Sequence, residues 1–394
     1  MDHIVCPGFK SAGISAGIKK TGAWDLGLIY SEVPAAVAGL FTKNLVKAAP
    51  VLLDMERVKS GSTRAVMANS GNANCCNGED GLANAKAMAR YAAKALGIDE
   101  EDVLVASTGV IGMPFPAAKV EKAAPELVKA LKEDGLIDCA RAIMTTDTVP
   151  KCVSVTGEIS GKTFTIAGIA KGAGMIRPDM ATMLSFLCTD AKVSADNLKA
   201  MLLKAADKSY NSITIDGDTS TNDTVLIMAN GLSGISVESD EEKRIFQKKL
   251  DEITLALAEM LVKDGEGVTK TVRVTVTGAP SDEGAFRVAD AVAHSYLVKT
   301  AFFGEDANWG RIMAAAGRAG VNLDPSTIDI TFDHVPLVKQ SRWLGPEAEV
   351  NATKILKKSE FSVTVDLHCG DGESSILTCD LSIDYVKINA DYRS

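Results

Sequence analysis

Two stretches of strand pattern flank a polar, glycine-bearing segment near the middle of the chain. Before it, Thr163, Thr165, Ala167 and Ile169 alternate with Phe164, Ile166 and Gly168; after it, Met183 to Cys188 is an apolar run of strand length. The segment from Lys171 to Thr182 therefore reads as a loop that delivers Thr182 to the start of a strand. Upstream, short apolar runs alternating with turn residues from Gly13 to Val51 predict strands. Arg64 to Met67 then leads into the polar loop Asn69–Asn74, and a helix is expected from about Gly81 to Leu96, stopped by Gly97. Val103–Ala106 reads as a short buried strand. Helical pattern around Lys119 to Lys132 is interrupted at Pro125, which can open a second helix as its first residue.

Downstream of the loop, Ser194 caps a helix with Leu198, Met201, Leu202 and Ala205 on one face. Ser239 and Glu242 form a capping box for a helix on which Phe246, Leu250, Ile253, Leu257 and Met260 or Leu261 recur at spacings of three and four. Val272, Val274 and Val276 alternate as a strand before Gly278-Ala279-Pro280-Ser281, the expected boundary between domains 1–277 and 278–394. Strands are expected again in Phe361 to Leu367 and Ile376 to Ile388.

Composition narrows the function classes. The chain has 394 residues, 46% hydrophobic and 24% charged, as in a globular protein of two or more domains. A formal charge of −9 argues against a nucleic-acid or anionic-membrane surface, so an anionic substrate needs a local basic pocket. No basic segment followed by a long apolar one opens the sequence, and the cytoplasm is the expected compartment. Eight cysteines without a C-x-x-C pair read as reduced thiols rather than a zinc site, and no metal is expected. Asp216-Gly217-Asp218-Thr219-Ser220-Thr221-Asn222-Asp223 imitates a calcium loop but lacks Gly at its sixth position and has Ile227 where a bidentate Glu belongs.

Taken alone, Thr182 is an ordinary strand residue, since a β-branched side chain suits a pleated surface. Its setting is not ordinary. The string Lys171-Gly-Ala-Gly-Met-Ile-Arg-Pro-Asp-Met-Ala-Thr-Met-Leu184 resembles the self-cleavage site of the ornithine acetyltransferase family, also called bifunctional glutamate N-acetyltransferases. Further stretches resemble family signatures in the right order from Ala38 to Ser394: Ala38–Asn44, Ser107–Gly112, Met144–Thr148, Asp264–Lys270 and Phe303–Arg311.

The resemblance implies that Ala181-Thr182 is cut autocatalytically, giving an α chain 1–181 and a β chain starting at Thr182, the nucleophile. A hydroxyl beside the scissile carbonyl can take the acyl group by an N-to-O shift, and the freed α-amine, with a reference pKa near ~8, then serves as its own base. By resemblance, the Thr108 hydroxyl and Gly109 amide form an oxyanion hole, Thr148, Glu266, Asn389 and Ser394 touch substrate, and the Asn69–Asn74 loop lies near the site. Many relatives end in Thr, and Ser394 preserves that hydroxyl. Lys171 is the cation expected to meet substrate carboxylates. The implied fold is α+β, a self-cleaving N-terminal-nucleophile-like layered α/β/β/α sandwich with a smaller C-terminal α/β domain. The implied reaction moves acetyl from N-acetylornithine to glutamate without a cofactor, with acetyl-CoA as a second candidate donor, in an assembly of two α and two β chains.

Two other classes compete. A self-cleaving aminopeptidase or amidase would use the same amine and hydroxyl but give the acyl group to water. An uncleaved nucleotide-binding protein is prompted by Gly172-x-Gly174 after a strand, but Arg177 holds the third glycine position and Pro178 stands where the helix should begin.

Overall fold

The computed structural model describes residues 4–177 and 183–391. The chain divides into two compact units, Met1–Asn211 with Asp218–Leu261 and Ser212–Gly217 with Val262–Ser394. In the first, β1 (Phe9–Ile14), β2 (Leu26–Phe41), β3 (Ser62–Asn69), β4 (Val103–Ser107), β5 (Lys151–Ile159), β6 (Lys162–Lys171), β7 (Leu184–Thr189) and β8 (Thr224–Ala229) form one sheet. Its order is β4-β3-β2-β8-β7-β6-β5, with β1 paired to β2.

This sheet folds over on itself. In a flat sheet β4 and β6 would be five strand spacings apart, about 24 Å. Yet Lys171, at the end of β6, donates to the hydroxyl of Thr108, just past β4, at 3.3 Å. The bend lies in β2, which pairs with β3 through Leu26–Tyr30, shifts register before Ala35, and pairs with β8 through Ala36–Phe41.

Period-two alternation then sorts the side chains. Val66, Ala68, Leu104 and Ala106 share a buried core with Ala167, Ile169, Leu184, Phe186, Leu226 and Met228 between the two halves. Their neighbours point outward. Ala65, Met67, Val103 and Val105 pack under two helices: α2 (Gly78–Leu96), which follows α1 (Ala49–Arg57), and α3 (Ala117–Lys129). Inside the fold, α4 (Leu136–Ile143) contributes Leu136, Cys139, Ala140 and Ile143 to the shared core.

On the other outer face lie α5 (Ala195–Lys208) and α6 (Asp240–Lys263), whose Phe246 stacks on Phe164 with centroids 5.5 Å apart. Gly168 lets α6 approach, since a Cβ there would stand 2.4 Å from Leu187 and 3.2 Å from Leu257. The layers are thus helix, sheet, sheet, helix, as the α+β reading expected.

The second unit carries β9 (Thr271–Ala279), α7 (Asp282–Ala293), α8 (Tyr296–Phe303), α9 (Trp309–Gly317), β10 (Asp329–Phe332), β11 (Val335–Lys339), β12 (Arg342–Trp343), α10 (Pro346–Leu356), β13 (Glu360–Asp366), β14 (Gly372–Cys379) and α11 (Ile383–Ala390). The sheet order is β12-β11-β10-β13-β9-β14. Val272, Val274 and Val276 bury with Val363 and Val365 and with Val288 and Val292 of α7.

Four expectations differ from this structure. The strand pattern read to Val51 stops earlier, because Pro50 suits the first turn of a helix and opens α1. Pro125 lies inside α3 and does not divide it: Val120, Ala124 and Leu127 are buried on both sides of it, while Glu121, whose carbonyl loses its partner, is solvent-exposed. The strand expected to reach Ile388 ends at Cys379, and the Ser382 hydroxyl caps α11 by accepting the Tyr385 N–H at 3.2 Å. The expected boundary at 278 falls within β9, which is hydrogen-bonded to β13 and β14 and groups with them; the units divide after Leu261, in α6.

Candidate active site

Parallel strands β3 and β4 end side by side, pairing Asn69 with Ser107. The chain then crosses between them. Thr108 N–H donates to Asn69 O at 3.0 Å, and Ser107 Oγ donates to Asn69 Oδ1 at 2.6 Å. Gly109 follows with φ +127°, and a Cβ there would lie 2.5 Å from the Gly71 carbonyl carbon and 2.7 Å from Asn72 N. Two backbones touch at a conformation L side chains rarely adopt, so glycine is required.

The asparagines of the loop are occupied in building it. Asn69 Nδ2 donates to Asn72 O (2.9 Å), Asn72 Nδ2 to Pro114 O (3.0 Å), and Asn74 Nδ2 to Gly81 O (3.0 Å). From the acidic segment, Asn222 Nδ2 reaches both Ala73 O (2.7 Å) and Ser107 O (2.8 Å). That segment therefore fastens the loop that carries Thr108.

Lys171 is 3% exposed and stands among hydroxyls, donating to Thr108 Oγ1 at 3.3 Å and Thr145 Oγ1 at 2.8 Å. Its counter-charge is Asp147, at 3.9 Å. The same carboxylate takes Lys151 Nζ at 2.7 Å, Gly172 N–H at 2.7 Å and Thr145 N–H at 3.0 Å. Burial opposes ionisation of Asp147. The ammonium groups of Lys171 and Lys151 and the Thr145 amide outweigh it and hold the carboxyl well below the usual carboxylate range. Thr148 sits exposed at the bend after Asp147.

Ala181 and Thr182 lie outside the described residues. Met183, the next residue in the chain, donates its N–H to Asp223 Oδ1 at 3.0 Å, and Thr224 N–H returns to Met183 O at 3.1 Å. Asp223 is wholly buried.

In the second unit, Glu266 is 8% exposed and accepts from Asn389 Nδ2 at 2.8 Å. Gly267 makes this approach possible: its φ is +68°, and a Cβ would lie 2.4 Å from Tyr385 N. Ser382 Oγ donates to Gly267 O at 2.6 Å, and Tyr385 OH donates to Asp216 Oδ2 at 3.1 Å. Ser394 lies outside the described residues.

Of the residues expected from sequence, Thr108, Gly109 and Lys171 are thus brought together in one unit, and Glu266 and Asn389 in the other. Thr145, Asp147 and Asp223 stand in polar stretches, Met144–Thr148 and Asp216–Asp223, whose residue types alone do not single out any one member. Among the described residues, no group of three or more His, Cys, Asp or Glu is placed to hold a metal ion, and no helix is long and apolar enough to cross a membrane.

Comparison with known proteins bears on this geometry over almost the entire chain. The ArgJ family profile matches residues 10–394. The protein named Arginine biosynthesis bifunctional protein ArgJ from Geobacter sulfurreducens is 54% identical over 389 residues, covering 98% of this chain and 99% of the relative. Its namesake from Syntrophotalea carbinolica is 52% identical with the same coverage. Among solved structures, a crystal structure of Arginine biosynthesis bifunctional protein argJ from Bacillus halodurans matches at 42% identity with a TM-score of 0.51, over 53% of this chain and 99% of that one. A family match over residues 10–394 and relatives at this overall identity across 98% of the chain have one consequence: the chain belongs to the ArgJ family.

Proposed function

We propose that this arginine-biosynthesis acyltransferase moves the acetyl group of N-acetylornithine to glutamate through an acetyl ester on Thr182, after cutting its own chain between Ala181 and Thr182. The Thr182 α-amine takes the hydroxyl proton as the oxygen bonds to the acetyl carbon. Thr108 Oγ1–H and Gly109 N–H hold the oxyanion. The α-ammonium then protonates the departing nitrogen, and ornithine leaves. Glutamate's amine attacks the ester and regenerates the hydroxyl.

The observation that carries this reading is the Lys171 hydrogen bond to Thr108. A hydroxyl that accepts from an ammonium keeps its own hydrogen for a second acceptor, and the nearby charge strengthens it as a donor. Lys171 thereby orients Thr108, with Asp147 as its counter-charge. Glu266, held by Asn389, receives the amino group of ornithine, and Thr148 and Ser394 are further substrate contacts that the family resemblance implies. Acetyl-CoA is the second donor that the family resemblance implies. Two cleaved chains pair, and the enzyme works in the cytoplasm.

The decisive experiment exposes cleaved enzyme briefly to N-acetylornithine without glutamate. Mass spectrometry should find one acetyl group on the fragment beginning at Thr182, and initial-rate plots with both substrates should be parallel. Intersecting plots with no acetylated fragment would replace the covalent route by direct transfer. Acetyl released to water as fast as to glutamate would make the enzyme a hydrolase. Incubating glutamate with each donor separately tests acetyl-CoA, and native mass tests the pairing.

A further inference from the structure

Freeing Thr182 needs a proton at the right atom. In an N-to-O acyl shift the Ala181 carbonyl carbon bonds to the Thr182 oxygen and breaks from the Thr182 nitrogen. That nitrogen is a poor leaving group unless it is protonated as it goes. A proton donor must therefore stand next to residue 182.

The register of the first sheet puts a carboxyl there. β7 and β8 run parallel with Leu184 opposite Thr224, so the residue preceding β8 meets the residue preceding β7. Asp223 Oδ1 accordingly accepts the Met183 N–H at 3.0 Å, the amide that follows Thr182 in the chain. Its second oxygen, Oδ2, is buried and has no hydrogen-bond partner among the described residues. The Thr42 hydroxyl lies beside the carboxyl, but its hydrogen goes to Ser220 O at 2.7 Å.

Such a site disfavours a carboxylate. Complete burial pushes the Asp223 carboxyl well above the usual range, against the Met183 amide, the Thr42 hydroxyl and the Lys171 ammonium, the charged group that acts on it among the described residues. A neutral acid carries one O–H donor. Here it sits on a group with no described acceptor for it, anchored one peptide unit from the bond to be cut. Structural anchoring needs only Oδ1, which an asparagine supplies equally well.

We propose that Asp223 is the proton donor of the self-cleavage, an inference that rests on the cut at Ala181-Thr182. As the Thr182 oxygen bonds to the Ala181 carbonyl carbon and the C–N bond breaks, the Asp223 hydrogen passes to the departing nitrogen, and the proton leaving the hydroxyl restores the carboxyl. Water then hydrolyses the ester, giving the Ala181 carboxylate and a Thr182 with free hydroxyl and α-amine.

The test follows full-length precursors made by brief cell-free synthesis and measures appearance of the fragment beginning at Thr182, from acid to alkaline pH. Asp223→Asn, which keeps the Met183 anchor, should slow cleavage at least about 100-fold while urea unfolding still shows one native transition. Asp223→Glu should restore part of the rate. Because the acid form is the active one, the wild-type rate should be level at low pH and fall as pH rises through the carboxyl's titration; that fall should be missing from the residual Asp223→Asn rate. Cleavage of folded Asp223→Asn at the wild-type rate would overturn the proposal. Should that variant fail to fold, a wild-type rate that climbs steadily with pH would overturn it, and a falling one with a partly active Asp223→Glu would support it. A wild-type precursor that never yields the fragment would sink the cut itself, a different failure from that of Asp223.

Discussion

Asp147 and Glu266 are equally buried, at 8% exposure each, but the two units surround them differently. Asp147 meets two ammonium groups and two backbone N–H groups. Glu266 is met by the neutral side-chain amide of Asn389, from a helix that buries none of its residues. The first carboxylate is neutralised within the fold and has no charge left for a ligand. It fixes Lys171, and through it Thr108, before substrate arrives. The second is met, among the described residues, by a neutral amide, an arrangement that suits the proposed approach of a substrate ammonium. Equal burial therefore does not make the two carboxylates alike; their partners set them apart.

Removing the Asp147 charge should give the largest effect. Asp147→Asn leaves two ammonium groups buried without their carboxylate, and breaking such a pair costs about 3–5 kcal/mol, readable as a lower unfolding free energy in urea. The pH dependence has a definite sign. A carboxyl lowered in the folded state contributes stability that is complete above its unfolded pKa, near ~3.9, and is lost as pH falls through the folded value below it. The wild type should lose this contribution on acidification. Asp147→Asn should lack that part of the acid limb, and an identical acid limb in both proteins would refute the assignment.

Next in size is Thr108→Val, which removes the proposed oxyanion donor but leaves Lys171 its Thr145 and Asp147 partners. It should lower kcat about 100- to 1000-fold in cleaved enzyme, the usual cost of one such donor. Its unfolding free energy should barely move. A stability loss as large as that of Asp147→Asn would mean that Thr108 belongs to the scaffold.

The contrast between the two carboxylates was half legible in the sequence. Local signals worked: Ser194 accepts from Asn197 N–H at 3.3 Å, and Ser239 and Glu242 make both bonds of their capping box. Thr108, Glu266 and Asn389 were named through resemblance, and Lys171 through the need of a chain of net charge −9 for a local cation. Asp147 was passed over in favour of its neighbour Thr148, because Lys171 and Gly172 reach it from the end of β6, an approach that no local pattern encodes. Asp223 was hidden in a segment shaped like a failed calcium loop. Helix α11 was missed because Ile383, Val386 and Ile388 look like strand residues when their exposure is unknown.

In the second unit the effects should be smaller and should fall on binding. Asn389→Ala removes one hydrogen bond to a carboxylate, about 1.5 kcal/mol, or roughly tenfold. That loss should appear in KM for N-acetylornithine, with kcat and urea unfolding unchanged. A change in kcat alone would move Asn389 from substrate binding to the chemical step.

The smallest predicted effect isolates how Glu266 is held. Ser382 Oγ does two jobs: it accepts the Tyr385 N–H at 3.2 Å, capping α11, and donates to Gly267 O at 2.6 Å, tying that helix to the turn that bears Glu266. Loss of an N-cap hydroxyl costs about 1 kcal/mol. Because α11 buries none of its residues, that cost should stay local, raising the population of an opened helix without weakening either core. In Ser382→Ala, hydrogen exchange of the α11 amides should quicken about fivefold, the amount 1 kcal/mol allows at 25 °C, while the β9 and β13 amides keep their wild-type protection. KM for N-acetylornithine should rise by no more than that factor, since Asn389 is displaced only while the helix is open. Should β9 and β13 exchange faster as well, α11 would be part of the second unit's cooperative core, and the distinction between a pre-set first cluster and a locally held second one would have to be given up.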